Sequence, residues 1–320
     1  MGSCFSDSMG GRAEATKLGP VLRNPFGVQY NSTSIARALN RITNGEEYRL
    51  EELGRHPSLG VAFSLDHHSR YNCEDERECL RRINTDLRVA EQSLIGCAQA
   101  YITLGSAYVF DSVGTIPEVA CLPVQAVANC HKLSPSLFER RLQSIDEIKQ
   151  DLLSCSESLM RSNPTIRVTF TVSPVRHWKD GPVQNGRSKA HLLSAVHAAV
   201  ESLCLDGIPA EYFPSYDIMI DELRDYRFYE TDMLHPSGVA CDYIWERLLD
   251  SHFDRKAIGP IMKRVGAILR AAAHRPFQPQ SKQHLSFVAR QIKAIKGLEQ
   301  EFPWMNFKKE ISQLTKGLNN

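Results

Sequence analysis

Two short segments at opposite ends of the sequence carry the residue types that acyl-transfer chemistry needs. Asp232-Met233-Leu234-His235 places a carboxylate and an imidazole three residues apart, ahead of an apolar stretch. Gly2-Ser3-Cys4-Phe5 offers a hydroxyl and a thiol as candidate nucleophiles. Covalent acyl transfer uses a nucleophile, a base that accepts its proton and an acid that orients the base. Asp232, His235 and either Cys4 or Ser3 could fill these roles.

The residues around His235 predict that it lies at the entrance of a helix. Pro236 suits a first helical position, and an amphipathic face follows at Ala240, Tyr243, Ile244 and Leu248. There Asp232 could accept a hydrogen bond from one ring nitrogen of His235 while the other nitrogen faces a nucleophile. The D-x-x-H string is short, and its ordinary alternative is a helix-start acid followed by a surface histidine.

Length and composition are those of a soluble globular protein with one large or two ordinary domains. Of the 320 residues, 42% are apolar and 23% are charged, which allows a sizeable core. No apolar run approaches the roughly 20 residues of a membrane-spanning helix, and no basic region with an apolar stretch opens the chain. We therefore expect a cytoplasmic protein without a membrane partner.

The nine cysteines lack the tight spacing of a disulfide framework, so we expect most of them to be buried thiols in a reducing compartment. Asp66-His67-His68 with Cys73 and Cys79 matches no compact zinc pattern. Glu74-Asp75-Glu76 within this segment is typical of a helix start. We expect no metal and no organic cofactor.

The C-terminal part of the sequence is basic. From Ser251 onward there are 13 Lys and Arg against 4 Asp and Glu, although the whole chain has a formal charge of +1. This part predicts helices only, so we divide the chain into a domain of residues 1–257 and a helical extension of residues 258–320. The positive charge could pack against the acidic remainder or bind a polyanion. Because no interleaved aromatic and basic motif accompanies it, we expect no nucleic acid partner.

Hydrophobic periodicity predicts a parallel sheet covered by helices. Apolar residues recur at helical spacing over Leu80 to Leu94, Leu142 to Leu159 and about 186 to 203. A short apolar run follows each of these segments, at 100–104, 168–172 and 210–214. Helix followed by buried strand, three times over, predicts an α/β fold with a mainly parallel sheet. A hairpin is predicted between Tyr108 and Val119.

The ends of the predicted strands indicate where a ligand would bind. Ligands of parallel sheets bind beyond the carboxyl ends of the strands, so the loops after Leu104, Val172 and Phe213 should border the site. Arg176 and His177 follow the second of these strands. They could line the cleft or bind an anionic group of the substrate.

Several strings, taken in order, resemble the GSCFA-domain family. They are Gly2-Ser3-Cys4-Phe5-Ser6, Asn24-Pro25-Phe26-Gly27-Val28-Gln29-Tyr30-Asn31, Asn129-Cys130-His131-Lys132, Val172-Ser173-Pro174-Val175-Arg176-His177-Trp178-Lys179-Asp180-Gly181 and Asp221-Glu222-Leu223-Arg224-Asp225-Tyr226-Arg227-Phe228-Tyr229. The resemblance covers residues 2–250. That family is in turn similar to the SGNH/GDSL hydrolases, so the resemblance implies a flavodoxin-like three-layer α/β/α sandwich and a hydrolase site.

The resemblance implies roles for individual residues. In the hydrolase pattern the first strand ends in Gly, any residue and the nucleophilic Ser, which places Gly2 at the glycine and Cys4 at the serine. Ser3 is the neighbour that could serve instead. The late D-x-x-H block supplies Asp232 as the acid and His235 as the base. A thiol suits the nucleophile position because an imidazole and a helix N-terminus can hold it as a thiolate.

The residues that would stabilise the oxyanion match the hydrolase pattern less closely than the nucleophile, acid and base do. Gly27 resembles the glycine of the second block, whose backbone N–H would stabilise a tetrahedral intermediate. The third block reads Gly105-Ser106-Ala107, so its asparagine is absent. Asn129 could replace that asparagine, and its alternative role is that of a turn residue.

The start of the sequence raises two further expectations. Only Met1 precedes Gly2, so the first strand of the resembling fold is missing, and we expect an upstream segment because a sheet without that strand would have unpaired backbone groups. The first six residues also satisfy an N-myristoylation pattern, with Cys4 placed for palmitoylation. Because the family motif explains the same residues, we expect no lipid anchor.

Taken together, these features favour an SGNH-like esterase or acyltransferase that forms an acyl-enzyme on an O-acyl ester. The expected substrate is a small-molecule or glycan ester. The alternative is a catalytically inactive domain that binds a carbohydrate or an acylated ligand, and the missing asparagine and strand favour this alternative.

Overall fold

The computed structural model describes residues 1–113 and 125–316, which form a mixed α/β protein. Its helices are α1 (Cys4–Thr16), α2 (Ser32–Asn44), α3 (Glu76–Leu94), α4 (Ile145–Ser162), α5 (Gly181–Leu205), α6 (Ser215–Asp217), α7 (Gly238–His252), α8 (Arg255–Ala273), α9 (Lys282–Glu301) and α10 (Lys308–Thr315). Its strands are β1 (Gly54–Arg55), β2 (Ala62–Phe63), β3 (Gln99–Leu104), β4 (Tyr108–Ser112), β5 (Phe138–Leu142), β6 (Arg167–Val172) and β7 (Ala210–Tyr212).

The strands β3, β6 and β7 form the parallel sheet that the sequence predicts. Their order is β3-β6-β7, and the register pairs Leu104 with Val172. Every residue of β6 after Arg167 is buried, as expected for a strand covered on both faces. Because the strands are parallel and in this register, Gly105 and Ser173 follow at the same edge of the sheet.

The first three residues extend the sheet on the other side of β3 from β6. Gly2 forms a parallel bridge with Thr103. The N–H of Thr103 donates to the carbonyl of Met1 at 2.9 Å, and the N–H of Ser3 donates to the carbonyl of Thr103 at 3.1 Å. The strand position that we expected to be missing is therefore occupied by these three residues, directly before α1.

Helices cover the sheet. Apolar side chains of one face pack in a single core cluster with residues of α2, α4 and α5, and these side chains are Ile102, Leu104, Val168, Phe170 and Val172. The alternating residues of β6 point to the opposite face, where the hydroxyl groups of Thr171 and Ser215 lie 2.5 Å apart. The arrangement is consistent with the predicted three-layer α/β/α fold.

The start of α4 differs from the prediction. Leu142 ends β5, and the helix begins only at Ile145. Ser144 and Glu147 form a capping box, in which Oγ of Ser144 accepts from the N–H of Glu147 at 3.1 Å and the Glu147 carboxylate accepts from the N–H of Ser144 at 2.7 Å. This cap sets the boundary that periodicity alone placed too early.

Two further boundaries differ near prolines. The helix α5 begins at Gly181 rather than near residue 186, because Pro182 is tolerated in the first turn of a helix. The strand β7 ends at Tyr212, ahead of Pro214, which has no N–H to donate to a neighbouring strand. Proline therefore extends one element and shortens the other.

The region after β3 contains an antiparallel pair. The strand β4 pairs with β5, with Tyr108 opposite Leu142. The predicted hairpin between Tyr108 and Val119 extends into residues 114–119, which lie outside the described residues. Through β5 the chain returns to the start of α4.

The cysteines of the described residues are free thiols. Cys79, Cys155 and Cys241 are buried, Cys204 is exposed, and the others are half-buried. Fewer are fully buried than the sequence led us to expect, because several lie at the ends of elements. Cys121 lies outside the described residues.

The chain divides into two compact units. The first comprises Met1–Ser8 and Leu22–Ile244, and the second comprises Met9–Val21 and the described chain from Trp245 onward. In the second unit α8, α9 and α10 enclose a core that includes Val265, Ile295, Phe307 and Leu314. The predicted helical C-terminal region is thus confirmed. Across residues 1–113 and 125–316, no helix combines the length and the apolar character needed to cross a bilayer.

Candidate active site

Gly2, Ser3 and Cys4 form a strand-to-helix turn. Gly2 has a φ of +136°, and a Cβ atom there would collide with the backbone of Thr103, so only glycine fits. Its N–H donates to Oδ1 of Asn24 at 2.8 Å. The helix α1 then begins at Cys4. The turn therefore holds Cys4 at a helix N-terminus, where free N–H groups favour a negative charge.

The two candidate nucleophiles have different surroundings. Ser3 is 1% exposed, and its buried hydroxyl has no hydrogen-bond partner among the described residues. Cys4 is partly exposed. Burial raises the pKa of the Cys4 thiol, while the backbone N–H groups of Phe5 and Cys4 and the charge of Lys189 act to lower it. Of the two residues, Cys4 is the one that a substrate can reach.

Asp232 and His235 form a hydrogen-bonded pair. Nδ1 of His235 lies 2.6 Å from Oδ2 of Asp232. Oδ1 of Asp232 accepts from the backbone N–H groups of Leu234 at 2.8 Å and His235 at 2.9 Å. The hydrogen bonds from His235, the backbone one first, lower the pKa of Asp232 to about 2. An ionised carboxylate at Nδ1 favours the tautomer with its proton there, which leaves Nε2 able to accept a proton.

The loop that carries His235 is closed by a backbone contact. Tyr229 and Pro236 form an antiparallel bridge. The helix α7 begins at Gly238 and is capped by the hydroxyl of Ser237. Pro236 is therefore not the first helical residue that we predicted, because its partner in the bridge holds it in extended backbone and the cap starts the helix two residues later.

Arg176 lies beside this loop. Its N–H donates to the carbonyl of Leu234 at 3.1 Å. Its guanidinium group lies 4.5 Å from the ring centre of Tyr229, 5.6 Å from that of Tyr226 and 5.9 Å from that of Trp178. No carboxylate within residues 1–113 and 125–316 forms an ion pair with it. Arg176 is therefore a cation held by aromatic faces next to the residue that precedes His235.

His177 and Tyr30 connect Arg176 with the Cys4 side of the site. The rings of His177 and Tyr30 meet edge to face, with centres 6.3 Å apart. Burial raises the pKa of Tyr30, and so does its proximity to Cys4. The carbonyl of Tyr30 accepts from the N–H of Gly105 at 2.8 Å. The loops after β3 and β6 thus lie close to the turn that holds Cys4.

The two halves of the predicted site are not joined by a hydrogen bond. Among the described residues, no hydrogen bond or ion pair joins Cys4 or Ser3 to the imidazole of His235, whose partner is Asp232. A chain of contacts connects them indirectly: the N–H of Arg176 donates to the carbonyl of Leu234, and the neighbouring His177 meets Tyr30, whose pKa is raised by burial and by Cys4.

Gly27 and Asn129 make other hydrogen bonds. The N–H of Gly27 donates to the carbonyl of Asn24 at 2.7 Å, so an oxyanion role would require this bond to break. Oδ1 of Asn129 accepts from the N–H of His131 at 2.9 Å, which is the arrangement of a turn residue. Neither is hydrogen-bonded to Cys4 within the part of the chain that the structure describes, and their oxyanion roles stay predictions.

Family models match most of the chain. The model of the GSCFA family matches residues 1–248, which is more than half of the sequence. The chain belongs to the GSCFA family. Residues 265–320 match a second model, described as the GSCFA domain protein, C-terminal domain. No curated protein and no solved structure matches this GSCFA chain.

One buried residue of this GSCFA protein was not among the predicted site residues. Lys189, on α5, is 2% exposed, and its Nζ donates to the carbonyls of Gly105 at 2.9 Å and Ser173 at 2.7 Å. Burial lowers the pKa of its amine to about 7. The sequence does carry a signal for it, because Lys189 falls on the apolar stripe of α5 that continues through Leu192 and Val196.

Proposed function

We propose that this GSCFA protein is an SGNH-like esterase or acyltransferase that works through an acyl-enzyme intermediate. The proposal is carried by the 2.6 Å hydrogen bond between His235 and Asp232, on the sheet edge where Cys4 begins α1. A carboxylate-bound imidazole and a nucleophile at a helix N-terminus are the groups that acyl transfer uses. The substrate is an O-acyl ester of a small molecule or a glycan, and the reaction needs no organic cofactor or metal.

The reaction begins with proton transfer and nucleophilic attack. His235 accepts the thiol proton of Cys4 on Nε2 while the sulfur attacks the ester carbonyl carbon. The negative charge that develops on the carbonyl oxygen is stabilised by the N–H groups of Cys4 and Phe5 at the start of α1. His235 then donates the proton to the leaving alcohol as the C–O bond breaks. Water or an acceptor hydroxyl attacks the thioester and restores the thiol.

This scheme requires a movement. Since no hydrogen bond joins Cys4 to His235 among the described residues, the loop closed by Tyr229 and Pro236 must approach Cys4 when substrate binds. His235 can move with this loop, because its side chain is 49% exposed. Catalytic hydrogen bonds are often long or absent before substrate binds.

Ser3 is the alternative nucleophile. Its hydroxyl is buried without a partner, next to Gly105, and an unpaired hydroxyl can deprotonate only if a base reaches it. Cys4 is the more accessible of the two residues, and a thiol is a stronger nucleophile than a hydroxyl at neutral pH. The proposal therefore assigns the covalent bond to Cys4.

Arg176 and His177 are assigned to substrate binding. Arg176 lies among aromatic faces without a carboxylate partner in the described residues, so a carboxylate or phosphate on the substrate would supply its counter-charge. His177, edge-on to Tyr30, would line the same cleft. A substrate with an anionic group near its ester bond fits this arrangement.

A chromogenic ester assay tests the function. Wild-type protein should hydrolyse a short-chain p-nitrophenyl ester, and Cys4→Ala and His235→Ala should each reduce turnover by roughly 10²–10⁴-fold. His274→Ala, at an exposed histidine of the second unit, is the matched control and should leave turnover unchanged. Turnover that survives His235→Ala intact would reject the mechanism.

Ligand binding without catalysis is the second candidate. It is favoured because no hydrogen bond joins Cys4 to His235 among the described residues. Such a protein would use the cleft for a carbohydrate or an acylated ligand. It predicts no turnover of any ester, together with saturable calorimetric binding of an acylated sugar that Arg176→Ala weakens.

A further inference from the structure

Two large aromatic side chains near the loop that carries His235 are exposed to solvent. Trp178 is 45% exposed and Tyr226 is 63% exposed. Aromatic rings contribute most when they are covered, and exposed rings that lie close together mark binding surfaces. Both rings belong to segments that border the candidate site, because Trp178 follows β6 and Tyr226 precedes the bridge between Tyr229 and Pro236.

The guanidinium group of Arg176 lies close to both rings. Its central carbon is 5.9 Å from the ring centre of Trp178 and 5.6 Å from that of Tyr226. Tyr229, which is only 9% exposed, lies 4.5 Å from the same carbon and forms the buried part of the group. Arg176, Trp178, Tyr226 and Tyr229 together form the Arg176 cluster.

The N–H groups of the Arg176 side chain have no acceptor in the described chain. A guanidinium group carries five N–H donors. Across residues 1–113 and 125–316, none of them makes a hydrogen bond and no carboxylate pairs with the charge. A half-buried cation in this position has lost hydration without gaining a hydrogen bond. A ligand with two oxygens side by side would supply the missing acceptors.

The charge of the cluster favours a carboxylate as this ligand group. Arg176 is the one cation among the four side chains of the cluster, so a single negative charge balances it. A carboxylate carries one charge, whereas a phosphate monoester carries close to two at neutral pH. Two parallel N–H groups of the guanidinium match the two oxygens of a carboxylate.

The rest of the ligand is best matched by a sugar ring. The C–H groups on one face of a pyranose are apolar and stack on the faces of tryptophan and tyrosine rings. A carboxylate takes two of the five guanidinium N–H groups, and hydroxyl oxygens of the same sugar can accept others. An aromatic acid would also cover Trp178 and Tyr226, but it would leave those N–H groups without an acceptor.

We propose that the Arg176 cluster is a subsite for an acidic sugar, which is a sugar ring that carries a carboxylate. This inference rests on the proposed function and narrows its substrate class to O-acyl esters of such sugars. Arg176 binds the carboxylate, while Trp178 and Tyr226 stack on the ring. Since the N–H of Arg176 donates to the carbonyl of Leu234 at 3.1 Å, the sugar binds beside the residue that precedes His235. The leaving alcohol of the reaction is then a hydroxyl group of this sugar.

Calorimetric titration tests the subsite without an ester. Wild-type protein is titrated at pH 7 with glucuronic acid, glucose, benzoate and glucose 6-phosphate. Glucuronic acid should bind at least about tenfold more tightly than each of the other three, because it alone combines a sugar ring with a carboxylate. Another of the three binding as tightly as glucuronic acid would overturn the proposal. So would the absence of glucuronic acid binding at millimolar concentrations.

Variants test whether the binding belongs to the cluster. Trp178→Ala and Tyr226→Ala should each weaken glucuronic acid binding at least about fivefold, because each removes a stacking surface. Trp304→Ala is the matched control, since it removes a tryptophan that is 50% exposed in the second unit, and it should leave the affinity unchanged. An unchanged affinity in either cluster variant, or an equal loss in the control, overturns the proposal. If thermal unfolding shows that a cluster variant does not fold, the wild-type titrations decide.

The outcome is distinguishable from that of the esterase proposal. Glucuronic acid binding that depends on Trp178 and Tyr226, without turnover of any ester, supports the subsite and counts against catalysis. Turnover of a neutral alkyl ester, without binding of glucuronic acid, overturns the subsite alone.

Discussion

Oδ2 of Asp232 lies 2.6 Å from Nδ1 of His235, and Oδ1 of the same carboxylate accepts the backbone N–H of His235 at 2.9 Å. These contacts fix both the position and the tautomer of the imidazole. Asp232→Asn should therefore reduce kcat/KM for a p-nitrophenyl ester by roughly 10²-fold or more, because an amide cannot stabilise the imidazolium. Steady-state hydrolysis measures the loss.

The matched control for this variant is Asp225→Asn. Asp225 is also an exposed carboxylate that caps a backbone N–H, that of Arg227 at 3.0 Å, but it is not bonded to His235. Asp225→Asn should leave kcat/KM unchanged. Equal losses in the two variants would show that the Asp232 effect is not specific to His235.

The buried hydroxyl of Ser3 predicts a gain in stability. Since it has no partner among the described residues, Ser3→Ala should raise the free energy of unfolding by about 1 kcal/mol. Ser215→Ala is the control, because its hydroxyl donates to the carbonyl of Val172 at 2.9 Å and its removal should lower stability. Urea unfolding compares the two. Loss of ester turnover in Ser3→Ala would instead make Ser3 the nucleophile.

Replacing Gly2 by any residue with a side chain should lower the stability of the protein. Its φ of +136° and the proximity of the Thr103 backbone mean that Gly2→Ala must shift the turn that carries Cys4, at an expected cost of about 2 kcal/mol or more. Gly96→Ala, where a Cβ atom meets nothing within 4 Å, should cost less than about 1 kcal/mol. Thermal unfolding gives the comparison, and similar losses at both positions would contradict the packing described for Gly2.

Two buried histidines predict how stability depends on pH. Burial lowers the pKa of His67 to about 3 and that of His131 to about 4, below the value of about 6.5 in an unfolded chain. Between these values the unfolded state binds more protons than the folded state. The free energy of unfolding should therefore be undiminished above pH 6.5 and should decrease as the pH falls toward 4, by up to about 1.4 kcal/mol per pH unit for each histidine.

Urea unfolding between pH 7 and pH 4.5 measures this dependence. His131→Gln should reduce the slope, since Gln does not titrate and can still donate to the carbonyl of Ser64, which lies 2.8 Å from Nε2 of His131. An unchanged slope in the variant would assign the pH dependence to other groups.

The core of the fold could be predicted because its signals are local. The strands β3 and β6 are apolar and follow amphipathic helices, so periodicity was enough to predict the parallel pair. The pairing of β4 with β5 was not accessible in this way. The strand β5 reads Phe-Glu-Arg-Arg-Leu, which lacks the apolar alternation of a strand, and its partner lies far away in sequence.

The candidate site shows the same difference between residues that are close in sequence and residues that are distant. The spacing of Asp232 and His235 predicted their pairing, because both residues lie within one turn of chain. The importance of Cys4 came from the GSCFA motif. The burial of Lys189 could have been predicted from the apolar stripe of α5, but its hydrogen bonds could not, because Gly105 and Ser173 follow two different strands.

Arg176 should favour substrates that carry a negative charge. Arg176→Ala should lower kcat/KM about tenfold, equivalent to about 1.4 kcal/mol, for an ester whose acyl part ends in a carboxylate, and should leave a neutral ester of equal length nearly unchanged. Arg187→Ala, at an exposed arginine of α5, is the control and should affect neither substrate. The ratio of kcat/KM values for the two esters is the measurement. An equal loss on both esters would indicate a structural role for Arg176.

The central claim is that an acyl group is carried by Cys4. Protein mixed with an excess of a p-nitrophenyl ester, quenched in acid and digested, should show one acyl group on the N-terminal peptide, at Cys4, and none in Cys4→Ala. With His235→Ala the adduct should form at least about 10²-fold more slowly, because no imidazole then takes the thiol proton of Cys4. An acyl group found on another residue, or ester turnover that continues in Cys4→Ala and in Ser3→Ala alike, would contradict the account.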